Sequence, residues 1–89
     1  MMRLNQRLKL HHVGSSYFIV DPGEANVDMS YILTLNRPAA YLWETFRERE
    51  FTVEMMADSL CRQFEVEPCV ATADIKNMLE QWKAYGMMV

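Results

Sequence analysis

The sequence predicts an α+β domain, because three short strand-like segments come first and three amphipathic helical segments follow, with no alternation between the two kinds. Turn and cap chemistry falls at the joints between these segments, at Gly14-Ser15-Ser16, Asp21-Pro22-Gly23, Asn36, Thr52 and Pro68. Size agrees: 89 residues, 51% hydrophobic and 24% charged, suit a single domain over 1–89 with one modest core. The expected architecture is a three-stranded antiparallel sheet followed by three helices packed on one sheet face.

The first strand is read from Leu8 to Val13 and the second from Tyr17 to Val20, with Gly14-Ser15-Ser16 as the hairpin loop between them. The segment from Asp21 to Asn26 is a turn on its chemistry, since proline presets its own φ and glycine admits a positive one. The third strand is read from Met29 to Leu35. A strict period of two would place Met29, Tyr31, Leu33 and Leu35 on one face and Ser30, Ile32 and Thr34 on the other. Residues 1–7 carry no strand or helix signal and are free to be a flexible lead-in.

Asn36 is a suitable N-cap, and Pro38 sits where an early helical amide has no intrahelical acceptor, so the first helix starts at Arg37. Ala39, Ala40, Trp43 and Phe46 recur at helical spacing as its buried stripe, and Arg47-Glu48-Arg49-Glu50 is a solvated end. Thr52 caps the second helix, with Glu54 in its first turn and Val53, Met56, Ala57, Leu60 and Phe64 on its apolar face. Pro68 opens the third helix, whose stripe is Ala71, Ile75, Met78, Leu79 and Trp82, and Gly86 follows its end.

Chemistry is sparse. A net charge of −3 gives no footprint for nucleic acid or an acidic membrane. The start of the chain lacks the apolar stretch of a signal peptide and no later run reaches spanning length, which predicts a cytoplasmic protein without a membrane partner. Cys61 and Cys69 lack paired metal spacing and read as free thiols, Cys69 being the more reactive candidate beside a helix start. His11 and His12, as strand neighbours, point to opposite faces and cannot chelate one ion together. Three glycines make no phosphate loop, and the acids Asp58, Asp74 and Glu80 are scattered over polar helix faces. The residues therefore predict a binding protein with no cofactor and no catalytic role. Eight methionines could line an adaptable apolar surface, although core filling is the simpler role for Met56 and Met78.

The run Tyr31-Ile32-Leu33-Thr34-Leu35-Asn36-Arg37-Pro38-Ala39-Ala40-Tyr41-Leu42-Trp43-Glu44 resembles the PqqD family pattern of a strand, Leu-Asn, small residues and an aliphatic-Trp pair. Thr52-Val53-Glu54-Met55-Met56-Ala57-Asp58-Ser59-Leu60 is similar to that family's second helix start, and the likeness continues through Val70, Asp74, Ile75 and Leu79 to Gly86-Met87-Met88. It departs from the pattern at Arg37-Pro38 and Cys69. The resemblance implies a winged helix-turn-helix-like fold and a peptide chaperone that holds the leader of a ribosomally made precursor peptide. The leader would add as a strand to the edge of the third strand, pack against the third helix, and be presented to a modifying enzyme, commonly of the radical S-adenosylmethionine type.

On this sequence the implied edge is Met29, Ser30, Tyr31, Ile32, Leu33 and Thr34, with apolar pockets from Ile75, Met78, Leu79 and Trp82 and with Lys76 meeting leader carboxylates. Two other readings stay open. A winged-helix DNA-binding regulator shares the outline, but Asp74, Lys76, Glu80 and Lys83 on its would-be recognition helix nearly cancel. A self-associating structural module would pair its open edge with a copy of itself, so the expected state is a monomer or a weak homodimer.

Overall fold

The structure is a computed structural model and describes residues 2–22 and 30–89. Most of the Asp21–Asn26 turn, and Met29 at the head of the expected third strand, lie outside the described residues. The elements run β1 (Lys9–Val13), β2 (Ser16–Asp21), β3 (Ser30–Leu35), α1 (Arg37–Phe46), α2 (Val53–Phe64) and α3 (Pro68–Ala84). This is the three-stranded antiparallel sheet followed by three helices that the sequence predicts, with sheet order β1-β2-β3.

Local chemistry places the joints. Gly14 takes φ +61 in the two-residue turn that sets Val13 opposite Ser16. The Asn36 side chain accepts from the Ala39 amide at 2.9 Å, and Thr52 accepts from Met55 at 3.2 Å, so both expected N-caps are made. Arg47–Glu50 lies beyond the end of α1, and α3 begins on Pro68.

The core draws on every helix and on one sheet face. Ile19 and Leu35 from the sheet meet Trp43 and Phe46 of α1, Met56 and Leu60 of α2, and Ile75, Leu79 and Trp82 of α3, all buried. Trp43 and Trp82 meet edge to face, with ring centroids 5.6 Å apart and planes at 77°. Leu42 of α1 is also buried, and Met56 fills core space, as expected for the simpler role of methionine.

Two features go beyond the sequence reading. Residues 2–5 are tied down: the Met2 and Phe51 backbones exchange hydrogen bonds at 2.9 Å, the Asn5 amide donates to Met87 O at 2.8 Å, and the Val89 amide donates to Arg3 O at 2.9 Å. The physical reason is Leu4, which is wholly buried and brings Phe51 and Met87, also wholly buried, into one cluster. Residues 2–5 thus form a clasp between the α1–α2 connection and the chain's last residues.

The second concerns β3, where the expected alternation is corrected. Ile19 pairs with Leu33 and Val20 with Tyr31, which leaves Ile32 as an extra residue in a β-bulge. The period of two breaks there, so Tyr31 shares a face with Thr34 rather than with Leu33, and their hydroxyls hydrogen-bond at 2.7 Å. Tyr31 also meets Phe18 edge to face at 6.1 Å on the sheet's outer side. Ile32 and Leu33 both lean on the core as half-buried residues.

Candidate functional site

β3 is an edge strand whose outer side pairs with no strand among the described residues. Its C-terminal end runs into a groove of about 440 Å³ between the β3–α1 junction and α3. Thr34, Leu35, Asn36 and Pro38 form one wall, Asp74, Asn77, Met78 and Gln81 the other, and Leu42, Leu60, Ile75 and Trp82 the floor. The floor is apolar because those residues are the tops of the helix stripes that make the core. The walls are polar because Asp74, Asn77 and Gln81 follow one another at three- and four-residue steps along the exposed side of α3.

Of the residues singled out from sequence, Tyr31, Ile32, Leu33 and Thr34 lie on β3, and Ser30 pairs with Asp21 at its start. Thr34, Ile75, Met78 and Trp82 come together at the groove. Lys76 and Leu79 do not: they line a second groove on the other flank of α3. Asp74, rather than Lys76, is the charged residue lining the first groove, and it has no ion-pair partner among the described residues. Trp82 is wholly buried, and its indole N–H has no acceptor among the described residues.

Asn77 and Gln81 escaped the sequence reading. They stand one residue from Met78 and Trp82 on α3, so their signal was the polar border of an apolar stripe. The remaining chemistry does not assemble into a reacting site. His11 lies opposite Phe18 and His12 opposite Tyr17, on which it stacks at 4.4 Å, so the two imidazoles occupy opposite sheet faces. Cys61 is a half-buried free thiol and Cys69 an exposed one. Among the described residues no group of three or more His, Cys, Asp or Glu could hold a metal ion, and no helix is long and apolar enough to cross a membrane.

An unpaired strand edge leading into an apolar groove with polar walls is a surface suited to an extended polypeptide, since main-chain groups pair along the edge and side chains fill the groove. The family model for Coenzyme PQQ synthesis protein D (PqqD) matches residues 16–88, nearly the whole chain, and the chain belongs to the PqqD family. Proteins of this family bind a precursor peptide and work with a modifying enzyme, in a non-catalytic accessory role. No curated protein and no solved structure matches the chain.

Proposed function

We propose that this chain captures the leader of a ribosomally made precursor peptide as a fourth strand on β3 and presents the rest of that peptide to a modifying enzyme of the radical S-adenosylmethionine class. The observation that carries this reading is the continuity of the open β3 edge with the groove beside α3. A peptide paired along Tyr31 to Thr34 continues over Asn36 and Pro38, where a bulky side chain descends toward Ile75, Met78 and Trp82. Asp74 selects against a carboxylate at that point and favours a cation or an amide beside the apolar anchor. Asn77 and Gln81 supply donors and acceptors to the peptide main chain as it leaves the sheet.

The bulge gives the edge two parts. Beyond Ile32 the strand carries Leu33 to Leu35 toward the groove, and before it the strand turns Tyr31 outward. Leader pairing is therefore strongest along Leu33 and Thr34, and Tyr31 flanks the entry.

The test is a titration of the isotopically labelled protein with the synthetic leader of the precursor encoded beside this gene. Amide shifts are expected at Tyr31 to Thr34 and at Asn77, Met78 and Gln81; saturation with all of these unmoved would overturn the reading. Met78→Glu places a charge on the apolar anchor's seat and should weaken leader binding about tenfold. Its melting temperature serves as the control, because Met78 is only half-buried.

A further inference from the structure

The second groove, of about 250 Å³, lies on the opposite flank of α3. Its floor is Met2, Val53, Leu79 and Met88, and Lys76, Glu80 and Lys83 stand along its rim. The floor is held in place by the clasp, since the Met2–Phe51 pair and the Leu4–Met88 bridge fix both methionines against the start of α2 and against α3. Lys76 and Lys83 are exposed and have no ion-pair partner among the described residues, although Glu80 lies between them on the helix. On a chain of net charge −3, two free cations over an apolar floor are a local inversion of sign.

We propose that this groove docks a short acidic-apolar segment of the modifying enzyme. The proposal rests on the reading that the leader occupies the first groove, which leaves this flank of α3 open to a second protein. Seven residues of helix set Lys76 and Lys83 roughly 10 Å apart along α3. Four residues of extended chain return the side chain to the same face after about 13 Å, a distance that the long lysine side chains can meet. The fitting segment therefore carries two carboxylates four residues apart, with a bulky apolar side chain midway between them on that face. The carboxylates pair with the lysines, and Met2 and Met88 adapt to the apolar side chain between them. One helix then reads both ligands: Ile75, Met78 and Trp82 on one flank, Lys76, Leu79 and Lys83 on the other.

The test uses three capped peptides, with the cores Glu-Ser-Phe-Ser-Glu, Glu-Ser-Ser-Ser-Glu and Lys-Ser-Phe-Ser-Lys, titrated into the labelled full chain. The first is expected to shift Val53, Lys76, Leu79, Lys83 and Met88, to leave Thr34, Asn77 and Gln81 unmoved, and to bind equally with the leader already in place. The double variant K76E/K83E should lose roughly tenfold in affinity for that peptide and gain affinity for the lysine peptide, with leader binding unchanged. Equal binding of the serine peptide, shifts at the first groove, or no localised shifts would overturn the proposal. So would concentration-dependent dimerisation abolished by K76E/K83E, which would give the groove to a second copy of the chain. Failure of the leader reading shows separately, as unmoved amides at Tyr31 to Thr34 in the leader titration.

Discussion

Glu65 closes α2 with φ 54 and ψ 45, in the left-handed region where a side chain crowds its own backbone. Glycine avoids that crowding but loses more freedom on folding, so Glu65→Gly should gain about 0.5–1 kcal/mol. Thermal unfolding should show it as a rise of roughly 2–6 °C, and an unchanged midpoint would count against a strained cap. Asn36, Thr52 and Pro68 were legible in the sequence because cap chemistry acts within one turn of the helix it starts. Glu65 was not, since nothing about a glutamate favours a left-handed backbone; the demand comes from the direction in which the chain must leave α2. The same split holds at the groove. Ile75, Met78 and Trp82 announced themselves as an apolar stripe, whereas the place of Lys76 depended on which flank of α3 faces β3, and spacing alone does not say.

At the scale of elements, all six were legible, because hydrophobic period and turn residues agreed at every joint. The bulge in β3 was not, since a reading by alternation assumes an unbroken ladder. Removing Ile32 should give such a ladder, with Tyr31 still opposite Val20 and Leu33 still opposite Ile19. The deletion should cost roughly 1–2 kcal/mol for the half-buried side chain and keep the Val20–Tyr31 cross-strand contact in nuclear Overhauser spectra. Loss of that contact in a folded variant would show that the register is set from elsewhere. α3 is the element with the most to do, since it buries Ala71, Ile75, Leu79 and Trp82 and also forms a side of both grooves.

For the whole molecule, the part hidden from the sequence is the clasp, because Leu4, Phe51 and Met87 carry no periodic signal and meet only when the chain's distant parts come together. Leu4→Ala removes a wholly buried side chain from that junction and should destabilise by about 2–5 kcal/mol, read as a lower denaturant midpoint. A loss below about 1 kcal/mol would mean that residues 2–5 are not part of the cooperative unit. Hydrogen bonds join Arg3 to Val89 and Asn5 to Met87 across the clasp, so the two ends of the described chain run antiparallel side by side. A short linker could therefore close the polypeptide into a ring, and new ends could be opened at the Gly14-Ser15 turn without cutting the edge of β3 or either wall of the peptide groove.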